Sequence, residues 1–289
     1  MQILDGRSLA QKIRQEVKEE IARLGITPGL GVILVGNNPA SHLYVSLKEK
    51  ASREVGIHFE KYVFPLHRAK LCTAQSLALC RIQELNNRPD IHGILVQVPL
   101  PTGYDEKAII NAIDPKKDVD GFHQVNLRAI LDGQPRIFPA VALGIVALID
   151  QASPNGLKNR KVILLVNRTE FAAPVEYLLK QGGAEVQIIL RAKEITSDIA
   201  AQLKTADVLV VARGHAGIVK GEMIKDGAIV IDVGTNRLLN GQLVGDVDFA
   251  STRDKPGFIT PVPGGVGPMT VAMLLKNTFE LAKSHTIKA

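Results

Sequence analysis

Three side chains near the start of the chain have the types and spacing to do chemistry together. Ser41, Tyr44 and Lys48 lie at i, i+3 and i+7 in the run Val35–Ala51, VGNNPASHLYVSLKEKA. On a helix those intervals place a hydroxyl, a phenol and an amine on one face. Ser41 stands where the helix N-cap is expected. Further along, Gln97 is polar inside the apolar run Gly93–Val98. Asp118 and Asp120 bracket a valine before Gly121, and Pro261–Thr270 reads PVPGGVGPMT, rich enough in glycine for backbone amides to approach a ligand. Each group has an ordinary reading too. A lone Y-x-x-x-K is usually a solvated helix face, a strand-end glutamine is often paired with backbone, and an Asp-x-Asp turn often caps a helix. At the carboxyl edge of a parallel strand, however, Gln97 would point into the same crevice as Lys48.

These groups need a scaffold, and the hydrophobic pattern supplies one. Arg7–Leu24 repeats apolar residues at helical spacing, Gly29–Val35 is a buried strand, and Ser41–Val55 is the helix that follows it. A strand at His58–Phe64, a helix at Thr73–Asn87, a strand at Gly93–Val98 and a helix at Asp105–Ile113 complete a β-α-β-α-β-α order, which implies a parallel sheet. Asp114–Gly121 is a charged loop, and Val141–Asp150 is a strongly apolar connecting helix. Strand and helix then alternate again: Lys161–Val166, Pro174–Lys180, Glu185–Leu190, Ile195–Leu203, Asp207–Ala212 and Ala228–Val233. Asn236–Val244 reads as a small hairpin and Met269–Ala282 as a closing helix led by Pro268. The expected fold is therefore two three-layer α/β lobes with a cleft between them, the second a Rossmann-like doubly wound parallel sheet. Expected boundaries are 1–137, joined by the last helix 268–289, for the first lobe and 138–267 for the second.

Bulk properties narrow the function classes. The chain has 289 residues, 46% hydrophobic, 22% charged and 4% aromatic, with no tryptophan, which suits a Val/Ile/Leu/Ala core between helices. The formal net charge is +6, but basic residues are scattered rather than clustered with aromatics, so an anionic small molecule is expected and nucleic acid is not. No apolar run is long enough to span a membrane and no signal pattern opens the chain. The two cysteines, Cys72 and Cys80, lie too far apart on one helix to bond each other, no metal-ligand spacing occurs, and a reducing cytoplasm is the expected compartment.

The blocks VGNNPASHLYVSLKEKA, GILVQVPLP, DVDGFH, GAIVIDVGTNR and ITPVPGGVGPMTVAML, in this order, resemble the bifunctional methylenetetrahydrofolate dehydrogenase/methenyltetrahydrofolate cyclohydrolase family over essentially the whole chain. The resemblance implies that Lys48 handles the proton during hydrolysis of the methenyl bridge. It implies further that Tyr44 packs against the folate, that Gln97 holds the lysine and its water, and that Asp120 binds the pterin. Ser41 would then be a supporting hydroxyl. Val96 and Val98 would line the folate site, and Pro263, Gly264, Gly265, Val266 and Gly267 would close over it. It implies NADP as cofactor, held by Asn167, Arg168, Thr169, Arg191 and Thr235, and a homodimer.

The cofactor loop departs from the family pattern of Gly-Arg-Ser, two variable residues, Val-Gly, one residue, Pro. Here it reads Asn167-Arg168-Thr169-Glu170-Phe171-Ala172-Ala173-Pro174, with Asn167 and Ala173 in place of glycines that let a pyrophosphate come close. Arg128, Gln124, Ala140 and the Leu190–Lys193 stretch also depart from the pattern. Arg191, rather than an acidic residue, at the end of its strand favours NADP over NAD. The expectation from these substitutions is a cyclohydrolase whose NADP-dependent dehydrogenase step is weakened or lost. A fully bifunctional enzyme and a non-catalytic folate binder are the alternatives.

Overall fold

In the computed structural model, residues 1–64, 71–191 and 194–286 are described. A two-residue strand, Gln2–Ile3 (β1), precedes helix Gly6–Leu24 (α1), which buries Ala10, Ile13, Val17 and Ile21 along one stripe. The chain divides into two compact units, Met1–Ala10 with Val141–Thr270, and Gln11–Ala140 with the segment from Val271. The first ten residues thus group with the second lobe's chain rather than with the segment that follows them.

The unit containing Gln11–Ala140 is built on strands Gly29–Val35 (β2), His58–Phe64 (β3) and Gly93–Val96 (β4), separated by helices Pro39–Val55 (α2) and Leu71–Asn87 (α3). The three strands are parallel in the order β3-β2-β4. Every residue of β2 and β4 is buried, as expected of central parallel strands covered on both faces, whereas β3 at the edge is half exposed. Ile33, Val35, Ile82, Leu85, Ile94, Val96 and Ile109 form one core with α3 and the short helix Glu106–Ile110 (α4). A further helix, Gln124–Leu131 (α5), was not expected; its N-cap is His123, whose Nδ1 accepts the Val125 N–H at 3.0 Å.

The other unit begins with helix Ala140–Ala152 (α6), of which all but the first residue belongs to it. Strands Lys161–Val166 (β5), Glu185–Leu190 (β6), Val208–Ala212 (β7) and Ile229–Asp232 (β8) follow, with helices Thr169–Gln181 (α7) and Ser197–Leu203 (α8) between them. A hairpin, Asn236–Arg237 (β9) with Leu243–Val244 (β10), and strand Phe258–Ile259 (β11) lead into the last helix, Val266–Thr286 (α9). The six-stranded sheet runs β1-β11-β8-β7-β5-β6, all parallel. Two α/β units, one with a six-stranded parallel sheet, are what the alternating pattern implied. Helix α7 starts at Thr169, five residues earlier than Pro174, and so carries that proline inside it, past the first turn, where its missing N–H removes one helical hydrogen bond.

Candidate functional site

The strand order β3-β2-β4 places a topological switch point between the carboxyl ends of β2 and β4, where open α/β sheets bind ligands. Helix α2 leaves the end of β2 at that point. Its N-cap is Asn38 rather than Ser41: Asn38 Oδ1 accepts the Ala40 N–H at 2.9 Å and the Ser41 N–H at 3.4 Å, with Pro39 in the first helical position. Ser41 is therefore inside the first turn and buried. The i, i+3, i+7 relation survives the shift, since all three residues remain helical.

Lys48 is buried, and its Nζ donates to Gln97 Oε1 at 2.7 Å. Gln97 is one residue past the last β2–β4 pair, Ile33 with Val96, and its own N–H still donates to the Ile33 carbonyl at 2.9 Å. Its side-chain amide N–H donates to the Val98 carbonyl at 2.6 Å, which turns the oxygen toward the lysine. Burial pulls the Lys48 pKa down, opposed by the charge of Asp120. Asp120 in turn is pushed up to about 6, chiefly by desolvation and then by the neighbouring Asp118, with Lys48 acting against the rise. Lys48, Gln97 and Asp120 are brought together, then, as one coupled group around a desolvated amine. Tyr44 is half-buried on the same helix, and Val96 is the buried last residue of β4.

Asp118 has a different job. Its carboxylate accepts the N–H groups of Gly121 at 3.0 Å and His123 at 2.8 Å, and Asn126 Nδ2 at 3.0 Å. It fixes the loop that carries Asp120 and starts α5, so the ordinary reading of this turn applies to Asp118. Another buried lysine, Lys117, donates to the carbonyls of Leu85 and Arg88 at the end of α3.

Pro263, Gly264, Gly265, Val266 and Gly267 belong to the unit of the six-stranded sheet, at the start of α9. Gly264 has φ 123°, and a Cβ on Gly6 would lie 2.0 Å from the Gly265 carbonyl oxygen. These glycines therefore have a packing reason of their own, the close backbone approach of α1 to the α9 start.

The order β7-β5-β6 puts a second switch point between the carboxyl ends of β7 and β5. Asn167 follows β5 there, and Arg213 follows β7 one residue beyond the last pair, Val166 with Ala212. Asn167 Nδ2 donates to the Arg213 carbonyl at 2.5 Å, Arg213 Nη1 donates to Asn167 Oδ1, and Arg191 Nε donates to the Asn167 carbonyl at 3.3 Å. Arg191 itself has φ 54°. Arg168 is the N-cap of α7 but makes no side-chain cap bond, and Thr169 opens the helix. Thr235 is exposed on the loop after β8. The donor set of guanidinium groups near the first turn of α7 fits a dinucleotide with phosphate groups. Ala192 and Lys193 lie outside the described residues.

Sequence reasoning missed the frame behind this second set. Asp246 accepts the N–H groups of Arg213 at 2.5 Å, Gly214 at 2.9 Å and His215 at 2.7 Å, and Asn236 Nδ2 at 2.9 Å. Asp232 accepts those of Gly234, Asp246 and Val247, and burial outweighs these bonds to push its carboxyl up to about 6. The signal available in the sequence was the pair of Gly-flanked aspartates in IDVG and VGDV. Among the described residues no group of acidic, histidine and cysteine side chains could hold a metal, and no helix is long and apolar enough to cross a membrane.

Comparison with known proteins also divides the chain in two near residue 140, although it assigns the first residues and the last helix differently from the compact units. Residues 4–120 match the model of the tetrahydrofolate dehydrogenase/cyclohydrolase catalytic domain, and residues 139–286 that of its NAD(P)-binding domain. The bifunctional protein FolD of Moorella thermoacetica is 46% identical over 285 residues, covering 98% of this chain and 99% of the relative. That of Halothermothrix orenii is 46% identical over 290 residues, covering 99% of each. Among solved structures, the bifunctional FolD enzyme of Campylobacter jejuni superposes with a TM-score of 0.88 at 39% identity, covering 98% of this chain and 99% of that one. The Trypanosoma brucei methylenetetrahydrofolate dehydrogenase-cyclohydrolase, solved with NADP and an inhibitor, has a TM-score of 0.87 at 37% identity, covering 99% and 98%.

Proposed function

This chain belongs to the tetrahydrofolate dehydrogenase/cyclohydrolase family, and from that premise we propose that it is fully bifunctional. It oxidises methylenetetrahydrofolate with NADP and hydrolyses the methenyl product to formyltetrahydrofolate. The observation that carries the reading is the buried 2.7 Å contact between Lys48 Nζ and Gln97 Oε1 beside Asp120. An amide holds an amine in place without stabilising its charge, as a carboxylate would. The neutral amine takes a proton from the water that adds to the methenyl carbon, and returns one as the carbon–nitrogen bond opens to the formyl group. Asp120 accepts hydrogen bonds from the pterin, Tyr44 packs against it, and Ser41, Val96 and Val98 complete the folate site in that unit.

Arg191, Arg168, Thr169 and Thr235 would hold NADP, which would supply the acceptor for the hydride of the methylene carbon, and Arg191 at the end of β6 would select its 2′-phosphate. The expectation of a weakened dehydrogenase gives way for two reasons. Relatives named as bifunctional align over 98–99% of the chain, with residues 139–286 matching the NAD(P)-binding domain model, and the substituted loop here keeps Arg168. A homodimer is part of the same reading, and sedimentation equilibrium at twice the 31.2 kDa chain mass would support it.

The deciding experiment follows NADPH formation from methylenetetrahydrofolate and the decay of methenyltetrahydrofolate in one preparation. Both signals are expected from the native chain, and neither hydrolysis nor oxidation at a useful rate from Lys48→Met. Hydrolysis without NADPH would return the reading to a cyclohydrolase alone, and full hydrolysis by Lys48→Met would remove the lysine from the mechanism.

A further inference from the structure

Asn167 stands where the family pattern has the glycine that lets a pyrophosphate approach the backbone, and its partner Arg213 is no part of the recognised blocks. The two lie opposite each other across the switch point, one residue beyond the paired ends of β5 and β7. They are joined by reciprocal hydrogen bonds, Asn167 Nδ2 to the Arg213 carbonyl and Arg213 Nη1 to Asn167 Oδ1. The arrangement turns the asparagine amide sideways onto the β7 loop. It also leaves the arginine with donors to spare: Arg213 Nε is shielded from solvent and has no hydrogen-bond partner among the described residues. A buried guanidinium donor without a partner is costly unless an anion comes to it. The Arg213 backbone cannot drift, because Asp246 holds the N–H groups of Arg213, Gly214 and His215. That carboxylate already accepts four donors, so the loop beside the guanidinium is pinned.

We propose that Asn167 and Arg213 form a paired anion-binding element in which the Arg213 guanidinium binds the cofactor's pyrophosphate, in place of the close backbone contact that a glycine at 167 would give. This extends the NADP-binding half of the function proposed above and rests on it. The pair divides the cofactor with Arg191: Arg213 serves the pyrophosphate at the switch point, and Arg191 serves the 2′-phosphate at the end of β6.

The test is calorimetric titration of the purified full-length protein with NADP and, separately, with adenosine 2′-monophosphate, which carries the 2′-phosphate and no pyrophosphate. Arg213→Ala is expected to weaken NADP by about tenfold or more while adenosine 2′-monophosphate stays within about twofold, the loss expected for one charged phosphate contact. Arg191→Ala is expected to weaken both. Placing Asn167→Gly in the Arg213→Ala background is expected to recover part of the NADP affinity, since the backbone can then approach the phosphates. Thermal unfolding of each apoprotein checks the fold, and Arg213→Gln, which keeps a donor toward Asn167 without the charge, replaces the alanine variant if that one unfolds. Unchanged NADP affinity in Arg213→Ala and Arg213→Gln would overturn the proposal while leaving the bifunctional reading standing. Equal weakening of the two ligands would overturn it by assigning Arg213 to the 2′-phosphate. No recovery in the double variant would overturn the claim that the pair replaces a glycine. A native chain that binds no NADP at all would overturn both this and the dehydrogenase half of the function.

Discussion

Two buried lysines show how much the partner decides. Lys117 spends its donors on the carbonyls at the end of α3, where the helix dipole favours a cation, and so serves as a cap. Lys48 has a single amide oxygen and a nearby carboxylate, and burial works against its charge. Only the second arrangement leaves an amine free to exchange a proton. Within the Lys48 group, Asp120 is the carboxyl that titrates near pH 6, because desolvation raises its pKa to about that value. The sign follows directly: above about pH 6 the carboxylate is ionised and accepts the pterin's N–H donors, and as pH falls through that value it takes up a proton and loses acceptor capacity. The Michaelis constant for methenyltetrahydrofolate is therefore expected to rise as pH drops through about 6, and Asp120→Asn should remove that rise while weakening binding at all pH values. Initial rates over pH 5 to 8 check it; a constant that stays flat across this range would detach Asp120 from the pterin. Lys48 was legible from spacing and Asp120 from the family resemblance, but their coupling was not, since the partners of Lys48 lie 49 and 72 positions away and only the sheet order brings them near.

At the scale of elements, strands with uninterrupted apolar runs were read closely: Gly29–Val35 and Lys161–Val166 fall where expected, because a buried central parallel strand has no alternative use for such a run. The boundaries that moved are those set by caps. Asn38-Pro39 outcompetes Ser41 because an Asx cap followed by proline satisfies two N–H groups and wastes none. Helix α5 went unread because its buried face includes Asn126, a polar residue held by Asp118 and the Pro115 carbonyl, so the hydrophobic period is broken. The start of α9 illustrates a constraint that the glycine-rich motif conceals. The Gly6 and Gly265 backbones touch so closely that Gly6→Ala would drive a methyl into the Gly265 carbonyl. A loss of roughly 1–3 kcal/mol of stability is expected, as for other overpacked sites. Urea unfolding measures it, with an unchanged slope showing that only the native state moved. A midpoint equal to the native chain's would mean that the α1 start and the α9 start yield without cost.

Across the whole molecule, both units use the same device with unrelated side chains. In each, the first central strand is flanked by the next strand on one side and the third on the other, β3-β2-β4 and β6-β5-β7. In each, a residue just past the third strand meets one on the segment that leaves the first, Gln97 with Lys48 and Arg213 with Asn167. No sequence repeat announces this, because chain topology rather than residue identity creates the crevice. One unit furnishes it with an amine, an amide and a carboxylate for proton transfer, and the other with guanidinium groups for phosphates. Each constellation is held by bonds within its own unit, so each should bind its own ligand without help from the other's catalytic side chain. Lys48→Met, although inactive in folate chemistry, is accordingly expected to bind NADP with a dissociation constant within about twofold of the native value, a difference under about 0.4 kcal/mol. Calorimetry on that variant measures it directly. A tenfold loss would show that Lys48 contributes to the cofactor site, and the two chemistries would then have to be treated as one coupled system.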